Sequence, residues 1–299
     1  MIPIVMSHLT ILKKNEVYLQ IDSDPHVFYE LSDQFTFELP GAKFMPQYRK
    51  RYWDGKIRLF NVNNGQIYVG LLDKIKKFCE DHEYSYSFVD NEYYGTPFEV
   101  NEHISYEGVK DYITSISKYA PREYQIEGVF DALRHNRKLL ISPTASGKSL
   151  MIYSIVRYYV ERGENTLIVV PTTSLVEQMY KDFADYGWDV GSFCHKIYAG
   201  KERETNSQVI ITTWQSIYKL PRKYFERFSV VVGDEAHQFK SKSLISIMTK
   251  LDHAKYRFGF TGTLDGTQTH KWVLEGLFGP SYKIIGTKDL MTKGHVAKL

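Results

Sequence analysis

The sequence has almost no cysteine, no long apolar run and little net charge. Only 2 cysteines, Cys79 and Cys194, occur in 299 residues, which argues against a disulfide framework and indicates a reducing, cytoplasmic compartment. The longest apolar runs, such as residues 167–170, are far shorter than the roughly 20 residues that cross a bilayer. The apolar residues 1–6 lack the basic flank and cleavage site of a secretory signal. No cluster of His and Cys has the spacing of a zinc site, and we expect neither a zinc ion nor a membrane partner.

Composition is close to the globular average, with 43% hydrophobic and 24% charged residues, so disorder and low-complexity repeats are disfavoured. At roughly 150 residues per domain, the length predicts two domains. The net charge of +3 is unevenly distributed, because residues 1–110 carry 12 basic and 16 acidic residues, whereas residues 111–299 carry 26 and 19. The two parts therefore differ in the sign of their charge.

One short segment of the acidic first part is basic and aromatic. Between residues 43 and 60, six Lys and Arg face a single acid, Asp54, and alternate with aromatic residues such as Phe44 and Tyr48. Lys and Arg bind phosphates, while exposed aromatic rings stack on unpaired bases at about 1 to 3 kcal/mol per base. We predict nucleic-acid binding by Arg49, Lys50, Arg51, Tyr52, Trp53, Lys56 and Arg58. The alternative is a solvated basic hairpin in which Trp53 and Phe60 belong to the core.

Residues 1–95 predict a small α+β accessory domain. Apolar segments 9–12 and 17–21 flank a polar turn, and segments 57–62 and 66–69 flank Asn63-Asn64-Gly65, so two hairpins are expected. Helices are expected at 25–34 and 71–83, and a strand at 84–88. Residues 90–104 mix turn formers with acids and show no sustained period, and we assign residues 96–110 to a linker.

Residues 111–285 alternate between strands and helices. Short apolar strands are expected at 138–141, 166–170, 209–212, 230–233 and 256–260, with helix-length amphipathic segments between most of them. This alternation predicts an α/β domain in which helices cover a parallel sheet.

A phosphate-loop motif follows the first of these strands and precedes the helix-compatible residues 150–160. It reads Ser142-Pro143-Thr144-Ala145-Ser146-Gly147-Lys148-Ser149, with Ser142 where such motifs usually begin with glycine. Backbone N–H groups of the loop and the positive end of the helix can surround the phosphates of a nucleotide. We predict that Lys148 neutralises the β and γ oxygens and that the Ser149 hydroxyl ligates Mg²⁺.

Two adjacent acids end another strand, since residues 230–233 lead directly into Asp234-Glu235-Ala236-His237. Acids at the end of a buried strand cost free energy unless they meet cations or water. A complex of Mg²⁺ and ATP provides both, so we predict that Asp234 holds the metal and that Glu235 is the general base for the attacking water. The alternative is an exposed acidic turn.

These two motifs, together with the later Thr261-Gly262-Thr263, resemble motifs I, II and III of superfamily 2 helicases of the DEAH-box type. The resemblance implies a RecA-like lobe that uses ATP and Mg²⁺. It implies that Arg122 and Gln125, in a segment similar to the Q motif, contact the nucleotide, with Gln125 at the adenine edge. It also implies that residues similar to motifs Ia and Ib contact the nucleic-acid backbone, namely Pro171, Thr172, Thr173 and Thr213.

The resemblance to motif III indicates a coupling role for His237, Thr261, Gly262 and Thr263. A hydroxyl of Thr261 or Thr263 within reach of the acidic loop would let loss of the γ-phosphate move the nucleic-acid contacts. The alternative is a simple turn after the strand 256–260.

Residues 48–60, placed ahead of such a motor, are similar to the recombination and repair helicases of T-even bacteriophages. This similarity implies a DNA helicase of the host-cell cytoplasm that acts on branched or forked DNA and R-loops. Superfamily 2 motors have a second RecA-like lobe with arginine fingers, and its motifs are not found here. Residues 286–299 resemble the connection to that missing lobe. We therefore expect the chain to bind ATP but to hydrolyse it weakly, because an arginine finger is worth about 10³ to 10⁵ in rate.

Two other functions fit the same motifs. A double-strand DNA translocase would move duplex DNA without separating its strands. A nucleotide-gated binding module would recognise DNA structure without useful turnover.

Overall fold

A computed structural model describes residues 7–97, 99–143, 146–198, 205–238, 241–262 and 268–286. The chain divides into two units, one formed by residues 1–98 with 266–277 and the other by residues 99–265 with 278–299. Three residues predicted to act in the site, Thr144, Ala145 and Thr263, lie outside the described residues. The predicted connection to a second lobe also lies outside them, apart from residue 286.

A four-stranded mixed sheet supports the first unit. The elements from residue 8 to residue 89 are β1 (His8–Lys13), β2 (Tyr18–Asp22), α1 (Pro25–Gln34), β3 (Thr36–Glu38), α2 (Pro46–Arg49), β4 (Lys56–Arg58), β5 (Gln66–Tyr68), α3 (Leu72–Asp81) and β6 (Ser85–Val89), with 3-10 turns at Ala42–Phe44 and Val69–Leu71. The sheet order is β5-β2-β1-β6, and β1 is antiparallel to β2 but parallel to β6. Leu9 and Ile11 alternate with more exposed neighbours along β1 and are fully buried, as are Val27 of α1 and Ile75 of α3. This alternation gives the sheet one face toward a core.

The first predicted hairpin is confirmed and the second is wrong. Strands β1 and β2 pair as expected, but β4 pairs with β3, and β5 pairs with β2. A single bridge, Asn61 to Gln66, remains of the second hairpin. The loop between them is closed by asparagine side chains, which accept hydrogen bonds from the N–H groups of Asn63 at 3.0 Å and Gln66 at 3.1 Å. Strand β5 instead aligns Ile67 with Leu19, so that both apolar side chains are buried.

A seven-stranded parallel sheet supports the second unit. Its elements up to residue 261 are α4 (Tyr106–Ile116), α5 (Glu123–His135), β7 (Arg137–Ile141), α6 (Lys148–Val160), β8 (Thr166–Val170), α7 (Thr173–Asp185), α8 (Val190–Phe193), β9 (Cys194–Ile197), β10 (Val209–Thr213), α9 (Trp214–Ile217), α10 (Arg222–Phe225), β11 (Val230–Gly233), α11 (Ser241–Lys250) and β12 (Tyr256–Thr261), with a 3-10 turn at Ala236–Gln238. After α12 (Gln268–Phe278), β13 (Ser281–Lys283) completes the sheet. The predicted α/β fold, preceded by a small α+β unit, is confirmed.

The order of the parallel sheet gathers the predicted motifs at one edge. The strands lie in the order β13-β7-β12-β11-β8-β10-β9, and each pair is parallel. Ile141 therefore aligns with Thr261, and Val170 aligns with Thr213. Because the carboxyl ends of parallel strands meet at the same edge, the loops after β7, β12, β11, β8 and β10 lie side by side.

Two elements depart from the predicted domain boundaries. Helix α4 begins within the predicted linker, where the Ser105 hydroxyl caps it by accepting from the N–H of Gly108 at 3.2 Å. Most of α12 belongs to the first unit, although the prediction kept residues 111–285 together. The indole of Trp272 lies between Phe35 and Phe37, with ring centroids at 5.4 and 4.9 Å, and this packing keeps the helix there.

Both cysteines are buried and free, and burial raises the pKa of the Cys79 thiol to about 11 and that of Cys194 to about 12. Within the described ranges, no group of His, Cys, Asp and Glu side chains could by itself hold a metal ion. None of the described helices is long and apolar enough to span a bilayer.

Candidate nucleotide and nucleic-acid site

The phosphate loop connects β7 to α6, as predicted. The N–H of Ser142 donates to the carbonyl of Thr261 at 2.9 Å, which ties the start of the loop to β12. The Ser142 side chain is fully buried and donates to the hydroxyl of Ser146 at 2.5 Å. The serine that replaces the usual first glycine therefore links the two ends of the loop.

Gly147 makes the turn from the loop into α6. Its φ of +77° lies in the left-handed region that favours glycine. A Cβ at this position would lie 2.3 Å from Nε2 of Gln125. The 13-residue helix begins at the next residue, Lys148, so its positive end stands at the loop where phosphates would bind.

The segment similar to the Q motif braces the phosphate loop. The amide of Gln125 donates to the carbonyl of Ser146 at 3.0 Å, and its oxygen accepts from the N–H of Arg122 at 2.8 Å. The Tyr124 hydroxyl also donates to the carbonyl of Ser146, at 2.9 Å, and accepts from the Arg122 guanidinium at 2.7 Å. The amide of Gln125 thus stabilises the loop through its backbone carbonyl. A contact between Gln125 and adenine stays a prediction. Sequence reasoning missed Tyr124, whose position inside the motif was its only signal.

The two acids after β11 meet the lysine of the phosphate loop. Nζ of Lys148 contacts Oε1 of Glu235, with the two side chains 11% and 18% exposed. The N–H of Glu235 donates to the Asp234 carboxylate at 2.9 Å. Glu235 has a φ of +49°, which is uncommon for a residue with a side chain and costs of order 1 to 3 kcal/mol. The three predicted catalytic residues therefore lie together.

Burial dominates the charge state of Asp234. Desolvation raises the pKa of its carboxyl to about 6, with a further raising effect from Glu235, while Lys148 and the N–H of Glu235 act in the opposite direction. Its ionised form is thus only partly compensated by the groups around it. A buried carboxylate of this kind fits a divalent cation held by one protein carboxylate and substrate phosphates.

The predicted coupling residues are in contact where they are described. Nδ1 of His237 lies 2.8 Å from Oγ1 of Thr261 and 3.5 Å from Oε2 of Glu235. Gly262 follows Thr261 directly at the end of β12. The imidazole therefore joins the acidic loop to β12, and the coupling role of these residues stays a prediction.

Ser149, predicted to ligate Mg²⁺, has a protein partner. Its hydroxyl lies 2.7 Å from the hydroxyl of Tyr186, the residue that follows α7. Burial raises the pKa of the Tyr186 phenol, so this group is a neutral hydrogen-bonding partner. Sequence reasoning missed Tyr186, because 37 residues separate it from Ser149. The metal role of Ser149 stays a prediction.

The residues similar to motifs Ia and Ib lie at neighbouring strand ends. Thr172 caps α7 by accepting from the N–H of Leu175 at 3.3 Å, and Thr173 begins that helix. Across the edge, the hydroxyl of Thr213 lies 2.9 Å from that of Ser216. The amide of Gln215, which sequence reasoning missed, donates to the carbonyl of Pro171 at 3.2 Å. This bond joins the two motifs, and the exposed Thr172, Thr173 and Gln215 form one polar surface, whereas Pro171 and Thr213 are buried beneath it.

In the first unit, the basic and aromatic segment folds around a groove of about 630 Å³. Tyr52 is 82% exposed and Phe44 is 77% exposed, and Arg51, which follows α2, has a left-handed φ of +58°. Four of the seven predicted residues line the groove, whereas the other three are exposed outside it. The lining residues are Lys43, Tyr48, Arg49, Arg51, Tyr52, Trp53 and Asp54.

The two interpretations of this segment each describe some of its residues. Phe60 is 1% exposed and belongs to the core, whereas Trp53 is half-buried and donates from its indole to the carbonyl of Lys56 at 2.9 Å. Arg58 forms a hydrogen-bonded ion pair with Asp54 and lowers the pKa of that carboxyl to about 2. The acid inside the groove is therefore neutralised by the protein itself, which leaves the remaining cations for a ligand.

Comparison with known proteins covers both units. A family described as type III restriction enzyme, res subunit, matches residues 118–266, and one described as DNA helicase UvsW, N-terminal, matches residues 9–90. A crystal structure of the UvsW helicase from bacteriophage T4 is 32% identical with a TM-score of 0.82, over 92% of this chain and 99% of that one. The chain belongs to the UvsW helicase family.

Curated relatives of this UvsW-family chain are longer than the chain itself. The ATP-dependent DNA helicase uvsW of Enterobacteria phage T4 is 33% identical over 293 residues, which are 94% of this chain and 57% of the relative. The DNA 3'-5' translocase XPB2 of Sulfurisphaera tokodaii is 30% identical over 181 residues, which are 59% of this chain and 38% of that protein. The chain thus spans about half the length of the curated relatives it matches.

The raised pKa of Asp234 predicts that Asp234→Asn stabilises the fold at alkaline pH. An Asp whose pKa rises from 3.8 to about 6 on folding adds stability below its unfolded pKa and loses that stability as pH rises through 6. Removing the charge should therefore raise the free energy of unfolding by up to about 3 kcal/mol at pH 8 and by much less at pH 5. Urea unfolding at both pH values measures this difference.

The exposed Glu226, changed to Gln, is the matched control and should alter stability by less than about 0.5 kcal/mol at both pH values. An Asp234→Asn variant that is less stable than the parent at pH 8 would show that the carboxylate is well compensated by its neighbours.

Proposed function

We propose that this chain provides the ATP-binding lobe and a DNA-binding unit of an ATP-dependent DNA helicase. The observation that carries the proposal is the convergence of Lys148, Asp234 and Glu235 beside the positive end of α6. Membership of the UvsW family supports the same activity. The polar surface of motifs Ia and Ib and the basic groove supply two surfaces for nucleic acid.

Each residue of the triplet has a separate part in ATP hydrolysis. Lys148 binds the β and γ oxygens, and it must leave Glu235 to do so. Glu235 is then able to orient the attacking water and accept its proton. Asp234 and Ser149 would hold Mg²⁺, which would supply charge neutralisation on the phosphates when it is bound. Gln125 fixes the loop that surrounds the phosphates, and to read the adenine edge its amide must leave the carbonyls of Ser146 and Gly147.

The hydrogen bond between His237 and Thr261 passes the state of the acidic loop to β12. A change at the γ-phosphate that moves Glu235 also moves this imidazole, because the two side chains are neighbours. Thr261, Gly262 and Thr263 then pass the change to the surfaces that bind nucleic acid.

The substrates we propose are branched or forked DNA and R-loops, unwound or migrated during recombination and repair in the cytoplasm of the host cell. The groove supports this choice, because the exposed Tyr52 lines it together with Arg49 and Arg51 and fits a junction at which unpaired bases and phosphates occur together. A second RecA-like lobe would complete the ATP site with arginine fingers.

Replacing Lys148 by Ala tests the nucleotide site. A lysine that binds phosphate oxygens contributes a charge-assisted contact of about 1.5 to 3 kcal/mol, so ATP affinity should fall by a factor of about 10 to 100. Titration with a fluorescent ATP analogue in the presence of Mg²⁺ measures it. The exposed Lys181, changed to Ala, should bind like the parent. Equal affinity in the Lys148 variant would refute a nucleotide site at this loop.

A triple substitution of Arg49, Lys50 and Arg51 by Ala tests the groove. For each phosphate that the variant no longer neutralises, the slope of log affinity against log salt should become shallower by about 0.7 to 0.9. Fork affinity should fall most at low salt, measured by anisotropy with a labelled synthetic fork. A double Ala substitution of the exposed Lys14 and Lys77, which lie outside the groove, serves as the control. Unchanged affinity and slope in the triple variant would exclude the groove as a DNA surface.

A further inference from the structure

Helix α12 follows motif III in the sequence but packs into the first unit. The indole of Trp272 contacts Phe35, which follows α1, and Phe37 of β3. Nζ of Lys74, on α3, lies 4.9 Å from the centroid of the same ring. Trp272 is thus half-buried, with aromatic and cationic contacts from three segments of that unit.

The backbone of α12 approaches the first unit too closely for any residue but glycine. A Cβ on Gly70 would lie 1.9 Å from the carbonyl oxygen of Glu275, and a Cβ on Gly276 would lie 2.8 Å from Cδ2 of Tyr68. Glu275 is 3% exposed, and its carboxylate lies 2.8 Å from Nζ of Lys74. Two glycine contacts and an ion pair between the buried Glu275 and the half-buried Lys74 therefore hold the helix in one position, its seat.

The last residue of the same helix belongs to the second unit. Phe278 is fully buried there, and a Cβ on Gly259 would lie 2.8 Å from its ring. Gly259 lies on β12, two residues before Thr261, which is hydrogen-bonded to His237 of the acidic loop. Within the second unit, a short, tightly packed path therefore leads from the acidic loop through β12 to Phe278, the residue at which α12 ends.

We propose that α12 is a coupling helix, which transmits the nucleotide state of the acidic loop to DNA binding by the first unit. The inference rests on the proposed function, since it requires that the chain bind both ATP and DNA. Trp272, Gly70 and Gly276 act here as positioning residues that keep the helix seated. Loosening the seat would leave both binding sites intact and remove the linkage between them.

Gly70→Ala and Trp272→Ala test this role through the coupling between two ligands. The dissociation constant of a synthetic fork is measured with and without a non-hydrolysable ATP analogue and Mg²⁺. In the parent chain the two constants should differ about fivefold or more, the range usual for coupled sites. In both variants the ratio should fall to less than about twofold, while the affinity for each ligand alone stays within about twofold of the parent.

Gly191→Ala is the matched control, because its added Cβ would approach nothing closer than 3.6 Å, and it should keep the ratio of the parent. Hydrogen exchange across α12 gives an independent measure of the seat, and its amides should exchange faster in both test variants. A parent-like ratio in variants with a loosened helix would overturn the proposal, as would a parent ratio of one. A parent that binds neither ligand would refute the proposed function, and the coupling role with it.

Discussion

The site depends on one constraint, the free-energy cost of burying two carboxylates, Asp234 and Glu235, beside a single ammonium, Lys148. Burial raises the pKa of Asp234, and Lys148 compensates chiefly Glu235, with which it is in contact. Buried charges of this kind are tolerated only if the fold places opposite charges in contact. When a nucleotide binds, a phosphate can replace Glu235 as the partner of Lys148. The sheet order does this, because β12 alone separates β7 from β11.

The backbone conformation of the acidic turn after β11 also costs free energy. Glu235 holds a left-handed backbone conformation that the surrounding packing must maintain. The 3-10 turn that follows carries His237 to Thr261, so relaxing the turn would break the contact with β12. The strained backbone of Glu235, its ion pair with Lys148 and the hydrogen bond between His237 and Thr261 are therefore linked. A change in one of them alters the other two.

Local pattern was sufficient for the elements whose periodicity is strong. Strands β8 and β11 and helix α1 were predicted with the bounds that the structure has, because their apolar runs end at charged or turn-forming residues. The motifs then located Lys148, Asp234 and Glu235, since strand, loop and helix surround them in the expected order. These are properties of short segments, and the sequence displays them directly. Contacts between distant segments were not predictable in this way. Tyr124 and Tyr186 brace the phosphate loop through bonds that depend on the packing of α5, α6 and α7. The prediction of the second hairpin was wrong because β5 pairs with β2, where its apolar side chain is buried. Likewise, no local pattern marks the approach of Gly70 to Glu275, which are separated by most of the chain length.

The exchange of Lys148 from Glu235 to a phosphate is the central claim, and the ATP affinity of Glu235→Gln tests it most directly. Removing the carboxylate charge frees the ammonium while keeping the shape of the side chain. The account predicts that this variant binds ATP several-fold more tightly than the parent, because a competing charge-assisted contact is gone. Equal or weaker binding would contradict it.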